Sequence, residues 1–320
     1  MYFINMSKKQ TGSILIIISI LTVLTSSGCT FPGSGTTSGH GIVIENFEVD
    51  FPNVYANEKF KIQMKMRNTG SVDAYGVYAK LYNTEVSSAG EKLSIVCRQE
   101  QCAQDRLLAP DPERGTTGGS KICIWDCVAP QLRKGVSVVF NPSVRLYYAY
   151  ETNVIKSLTI TSQNELRNLQ NQGKAPPSET LSSTTGPISM DVRVKGPIRY
   201  WEGETNIIFP VEVNINNVGG GTPCTSTLGG TSTECENPDN WNRVGLYFPE
   251  DISLRSCSGI ENNQIVELWK SREKTVTCEA VIQLQGRATA GLVQKNIDFT
   301  STYSYFTDTS TSVTVQGKDN

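Results

Sequence analysis

Histidine is nearly missing from this 320-residue chain; the one present, His40, lies in the run Thr-Thr-Ser-Gly-His-Gly. That excludes hydrolases needing a structured imidazole base, and metal centres built from several imidazoles. His40 itself reads as a solvated residue on a flexible stretch. An excess of one charge is missing too. Lys and Arg total 29 against 31 Asp and Glu, a net charge of −2, which offers no basic face for nucleic acid. Stretches rich in Ala, Leu, Glu and Lys are scarce, whereas Ser, Thr, Asn and Gly are plentiful. That balance favours an all-β body. There is no phosphate-binding loop, dinucleotide fingerprint or nucleophile elbow. Asn-x-Ser/Thr occurs only at Asn5, so the rest of the chain offers no N-glycan acceptor.

The one strongly apolar run is Ile14 to Leu24, 11 residues broken only by Ser19 and Thr22, with Lys8 and Lys9 before it and small residues after it. A basic stretch, a short apolar core and small residues make an export signal. Eleven residues fall short of the roughly 20 that span a hydrocarbon core. The alternative is an uncleaved N-terminal anchor helix. Residues 1–29 are therefore expected as signal peptide or membrane anchor, and 30–41, rich in Gly, Ser and Thr, as a flexible tether.

About 290 residues remain, enough for two domains. The first is expected over 42–172. Phe60 to Met66 alternates apolar and polar, which marks a half-buried strand, and Asn68-Thr69-Gly70 reads as a turn whose residues tolerate positive φ. Val77, Ala79 and Leu81 share one face of the next strand; 136–140, 144–150 and 154–161 read as three more. Ser162-Gln-Asn-Glu165 is a capping-box pattern opening a short surface helix near 162–172. Gly173 to Gly186 is expected to be linker, within 173–187. The second domain, over 188–317, opens with alternating Ile188 to Val194, followed by a strand through Val211, Val213 and Ile215 that ends at Asn217-Val-Gly219. Cys278, Ala280, Ile282 and Leu284 share a face of a later strand.

Ser27-Gly28-Cys29 resembles the end of a prokaryotic lipobox, in which the cysteine becomes the lipid-bearing first residue. Cys29 is on that resemblance the lipidation site, although Ser26 stands where that motif usually has Leu. Met66-Arg-Asn68-Thr-Gly70 and Ile215-Asn-Asn217-Val-Gly219 resemble the strand ends of CARDB-type, immunoglobulin-like domains of archaeal and bacterial surface proteins. The resemblance implies two tandem antiparallel β-sandwiches on an exported surface lipoprotein. Glu91 to Arg133 and Thr222 to Trp241 are insertions relative to that pattern.

Nine cysteines leave Cys29 as the odd one. Cys97, Cys102, Cys123 and Cys127 form one group of four, and Cys224, Cys235, Cys257 and Cys278 a second. In an exported chain eight cysteines suggest disulfides. Cys224 with Cys235 would close a Gly/Ser/Thr loop, leaving Cys257 with Cys278; in the first group three connectivities are open, and a four-thiolate zinc site is the sharper alternative. Tyr147, Tyr148 and Tyr150, and Tyr303, Tyr305 and Phe306, read as core and cross-strand pairs, with a stacking surface as the alternative. The acidic loops around Asp111 and Asp239 lack calcium-ligand spacing. No catalytic set, cofactor or metal is expected. The expectation is a non-catalytic structural, adhesion or interaction protein, held at the extracellular side of the cell membrane by its N-terminal segment or a lipid, with a protein or glycan partner and no nucleic acid. The alternative is a carbohydrate-binding or carbohydrate-active exoprotein using 91–133, where Glu91, Glu100, Asp105, Asp111 and Glu113 supply carboxylates.

Overall fold

Alternation decides the first sheet. The computed structural model describes residues 41–318 apart from 89, 99–101, 202, 226–231, 251, 262–263 and 284–290. The segment expected as export signal or anchor, Cys29, His40, Glu100 and Leu284 therefore lie outside the described residues.

In the first half the strands are β1 (Ile42–Val49), β2 (Asn53–Tyr55), β3 (Lys59–Asn68), β4 (Ala74–Tyr82), β5 (Glu85–Ser88), β6 (Glu91–Ser94), β7 (Val96–Arg98), β8 (Ala103–Leu107), β9 (Ser120–Val128), β10 (Ser137–Phe140) and β11 (Ser143–Ser162). Helix α1 (Gln163–Asn171) follows. The second half holds β12 (Leu181–Ser183), β13 (Ile188–Val194), β14 (Ile198–Tyr200), β15 (Asn206–Asn217), β16 (Thr222–Thr225), β17 (Arg243–Tyr247), β18 (Ile252–Ser258), β19 (Ile265–Glu267), β20 (Glu273–Gln283), β21 (Leu292–Ser310) and β22 (Val313–Gln316). The body is thus mostly strand, as the composition leads one to expect.

Each half folds its own four-stranded antiparallel sheet, in the order β1-β3-β9-β7 and β13-β15-β20-β18. Phe60, Ile62, Met64 and Met66 point inward from β3; Phe209, Val211, Val213 and Ile215 do so from β15. Registers match: Ile42 faces Asn68 as Ile188 faces Asn217. Both sheets pack over a shared layer built around β11 and β21, which pair antiparallel at nineteen positions from Ser143↔Ser310 to Thr161↔Leu292. The stretches 144–150 and 154–161, expected as separate strands, are one continuous strand; Glu151, Thr152 and Asn153 keep the ladder by facing Thr302, Ser301 and Thr300.

The central ribbon reads alike from both ends. Ala149 faces Ser304, Tyr148 faces Tyr305 and Tyr150 faces Tyr303, so a half-turn about that point exchanges the halves. Opposed residues of an antiparallel pair share a face, and these four buried tyrosines form the seam beneath both outer sheets. Tyr148 and Tyr305 rings lie 5.7 Å apart, Tyr150 and Tyr303 6.2 Å.

The two Asn-x-Gly turns explain how each outer sheet meets the seam. Neither Asn68 nor Gly70 has a positive φ, contrary to the expectation. Instead the Asn68 side chain works as a hub: its amide donates to Val72 O (2.8 Å) and Leu107 O (3.0 Å), and its Oδ1 accepts from Gly70 N. Asn217 repeats this with Gly221 O, Ser271 O and Gly219 N. Gly70 and Gly219 are needed for close approach. A Cβ on Gly70 would run into the Tyr150 hydroxyl, and one on Gly219 into that of Tyr305 at 2.7 Å. Those hydroxyls accept from Val72 N (3.1 Å) and Gly221 N (2.8 Å).

The halves also exchange strands. Beyond the seam β11 continues into the second half, pairing with β12 and, in parallel, with β14, Ile160 facing Ile198. Conversely β22 pairs in parallel with β2 of the first half, Val315 facing Val54, and antiparallel with β10. The stretch expected as interdomain linker is tied down. Its residues 181–183 are β12, and Glu179 meets Lys156 at 3.4 Å with both side chains largely buried. Helix α1 buries no residue, as a two-leucine stripe implies; the Ser162 hydroxyl caps Glu165 N at 3.1 Å, while Ser162 N donates to Gly291 O rather than closing the box.

Candidate functional site

All eight cysteines of the body are paired. Cys97–Cys127 and Cys102–Cys123 resolve the first group; Cys224–Cys235 and Cys257–Cys278 are bonded as expected. The zinc alternative is thereby corrected, since a sulfur already bonded to sulfur offers no thiolate. Cys97–Cys127 and Cys257–Cys278 each join directly opposed residues, stapling an outermost short strand, β7 or β18, to its neighbour. The staples are not equivalent: Cys127 faces Phe60, whereas Cys278 faces Val211, the counterpart of Ile62. Trp125 occupies that position in the first half.

Beside the Cys97–Cys127 staple lies a groove of 570 Å³ lined by Asp50, Lys59, Phe60, Lys61, Val96, Arg98, Asp126, Cys127 and Val128. Strand register lays it out. Lys61, Asp126 and Arg98 form one row across β3, β9 and β7; Lys59, Val128 and Val96 form the next. Adjacent strands stand roughly 4.8 Å apart, so the cations of the first row flank one carboxylate at about 10 Å from each other along the backbone. Lys61 reaches Asp126 at only 3.9 Å with both side chains well exposed, an ion pair of little strength. Asp50 is used locally: its Oδ1 accepts from Phe51 N and Lys61 N, both at 2.9 Å. Lys59 and Arg98 have no ion-pair partner among the described residues. Further along β3, Lys65 and Arg67 hold Glu45 at 2.8 and 2.5 Å. Their hydrogen bonds, that of Lys65 foremost, keep the Glu45 carboxyl below its ordinary range.

Aliphatic side chains complete this outer face. Ile122 is 57% exposed, Val96 65%, and Ile124 and Val128 38% each. A smaller cavity of 280 Å³ on the other side of the staple is lined by Leu81, Thr84, Ser94, Ile95, Val96, Cys97 and Trp125; the buried Trp125 Nε1 has no hydrogen-bond partner.

The aromatic rows divide between two places. Tyr148, Tyr150, Tyr303 and Tyr305 are the core seam, as expected. Burial pushes the Tyr150 hydroxyl up to about 12 and those of Tyr148 and Tyr303 well above their usual value. Tyr147 and Phe306 lie on the opposite face of the ribbon with Cys224–Cys235, and Tyr147 stacks on Tyr78 at 4.7 Å. Arg145 sits 4.3 Å over Phe306 and makes a two-pronged pair with Asp308, at 2.7 and 2.9 Å. Residues 232–240 cover this cluster; Glu236 accepts from Tyr78 (2.8 Å) and Lys80 (2.5 Å), which hold its carboxyl low. The cluster is closed packing rather than a stacking platform.

The carboxylates of 91–133 are spread out. Glu91 lies on β6 and Asp105 on β8, while Asp111 and Glu113 share a turn in which Asp111 Oδ1 accepts from Glu113 N and Arg114 N. No group of three metal-ligating side chains occurs among the described residues, and no helix there is long and apolar enough to cross a membrane. Sequence reasoning missed the groove, although the outward set Lys59, Lys61, Lys65 and Arg67 was legible in the β3 alternation.

No known family model and no curated protein sequence matches the chain. Among solved structures it is similar to the secreted serine protease VesC from Vibrio cholerae, at 6% identity and a TM-score of 0.21, over 85% of this chain and 51% of that one. A second similarity is to the C-terminal domain of the Streptococcus agalactiae AgI/II polypeptide BspA, at 9% identity and a TM-score of 0.14, over 86% and 97%. The chain thus spans about half the length of VesC. Neither likeness carries an argument at these scores.

Proposed function

We propose that this is an exported, membrane-tethered interaction or adhesion protein that works without catalysis, its halves being immunoglobulin-like sandwiches of the CARDB kind. The observation that carries the reading is the pairing of all eight body cysteines, which suits an oxidising compartment and leaves Cys29 alone behind an apolar export segment. The first half's outer face, with its groove, is the contact surface; a bonded, cross-strand staple holds its short wall β7 in place. The test is intact mass of the protein taken from membranes, before and after reduction with thiol alkylation. A mass beginning at Cys29 with added lipid, and eight thiols appearing only on reduction, is the expected result. A chain recovered without lipid or N-terminal segment from the soluble fraction overturns the tether, and free thiols before reduction overturn the exported setting.

A carbohydrate-binding role is the second reading, because five groove residues, Val96, Arg98, Asp126, Cys127 and Val128, come from the 91–133 insertion. Glycan binding that survives Arg98→Gln counts against it.

A further inference from the structure

We infer that the outer face of the β1-β3-β9-β7 sheet docks flat on an anionic lipid surface, a phosphate headgroup seating in the groove beside Lys59, Lys61 and Arg98. The inference rests on the tethered reading above and adds the partner of its contact face.

Three observations carry it. First, the face is amphipathic in the way an interface demands. Lys59, Lys61, Lys65 and Arg67 run along β3 and Arg98 stands on β7, five cations against the four carboxylates of Glu45, Glu48, Asp50 and Asp126, and Ile122 and Val96 are exposed beside them. Cations answer headgroup phosphates, and aliphatic side chains enter the boundary below them. Second, the matching face of the second half lacks the pattern. Where β3 has Lys59, Lys61, Gln63, Lys65 and Arg67, register places Ile208, Pro210, Glu212, Asn214 and Asn216 on β15. The cations are therefore not a requirement of the shared architecture. Third, the tether enters the body at Ile42, the first residue of β1, which belongs to this same sheet. Twelve residues of chain span at most about 40 Å, which bounds how far Ile42 can lie from Cys29. Tethering makes a weak attraction sufficient, since docking becomes intramolecular. Each lysine or arginine near such a surface raises the ratio of docked to undocked protein roughly fivefold, and salt screens it over about 8 Å.

The test uses the full chain with vesicles of phosphatidylcholine alone or mixed with phosphatidylglycerol. Acetylation of Lys59 and Lys61 is followed by mass spectrometry, with the exposed Lys270 of the second half as control. The expected result is severalfold slower labelling of Lys59 and Lys61 on the anionic vesicles only, reversed by salt, with Lys270 unchanged. The exposed-site variant Arg98→Gln should weaken the protection of Lys61 without altering the fold, checked by circular dichroism. Equal labelling on both vesicles overturns the inference. Retention on vesicles through a high-salt wash reports the tether separately. A retained chain with equal labelling ends the docking proposal and keeps the tether; a washed-off chain that regains lysine protection when returned to anionic vesicles at low salt does the reverse.

Discussion

The two halves carry the same skeleton and differ in what surrounds it. Ile42 and Ile188, Asn68 and Asn217, Tyr150 and Tyr305 occupy matching positions, whereas the outward side chains of β3 and β15 do not correspond in charge at all. Positions that meet the seam are constrained by close approach and buried hydrogen bonding. Outward positions are free to vary, so a difference there reports use. The comparison teaches that the Asn hub, the glycine and the tyrosine hydroxyl form one unit, present twice, while the staples and the cationic face are particular to a half.

Removing the staples should give the largest effects. Cys97→Ser with Cys127→Ser opens a separation of 30 residues, and Cys257→Ser with Cys278→Ser one of 21. Each pair should cost about 3 kcal/mol by denaturant unfolding, the first slightly less because the enclosed Cys102–Cys123 bridge already closes most of its loop. A larger loss from the first pair would mean that its staple does more for the native sheet than shorten a loop. Next come the hubs. Asn68 is fully buried and Asn217 only partly, so Asn68→Ala, which strands the Val72 and Leu107 carbonyls, should cost about 3 kcal/mol and Asn217→Ala about 2. Equal losses would erase the distinction in burial.

The tyrosines separate the halves more finely. The Tyr303 hydroxyl lies 2.9 Å from Thr152 Oγ1 and accepts from Ile188 N, whereas the buried Tyr148 hydroxyl has no hydrogen-bond partner among the described residues. Tyr303→Phe should therefore cost about 1 kcal/mol and Tyr148→Phe nothing or less than nothing, measured as a shift in the denaturant midpoint. Alkali acts on all of them together. Their folded values are raised above the ordinary 10, so the stability they contribute is complete below pH 10 and is lost as pH rises through the folded values, about 12 for Tyr150. Unfolding that begins above pH 10 is expected; a chain indifferent to pH 12 would show the seam to be worth little. The smallest effect should come from cutting after the exposed Lys174, between the halves. The fragments should co-elute on size exclusion in native buffer, because β11 and β22 each complete the opposite half; separation would refute the exchange.

Much of this was legible where neighbours in sequence are neighbours in space. The alternation of Phe60 to Met66 predicts its buried face, Ser162 its cap, and Cys224 with Cys235 a loop closure over 11 residues. Partners far apart in sequence were not legible. Nothing in Tyr148 announces Tyr305, and a strand pattern carries no address for its partner, so two bodies joined by a linker read equally well as two halves exchanging strands. The Asn-x-Gly turns were found for the wrong reason, because glycine's lack of a Cβ permits two things and only one of them is a positive φ. The groove was missed because each of its rows draws from three strands, two of them in an insertion without alternation.

The parallel pairing of β22 with β2 sets an order of events. Among the described strands Val313–Gln316 is the last to leave a ribosome, and it lies beside Asn53–Tyr55, one of the first. The opening half of this molecule therefore waits, with its edge beside β2 uncovered, until some 260 further residues have emerged. The first half is closed only when β22 arrives, and a chain whose synthesis halts before it exposes the unfinished edge of that half to whatever machinery inspects such edges.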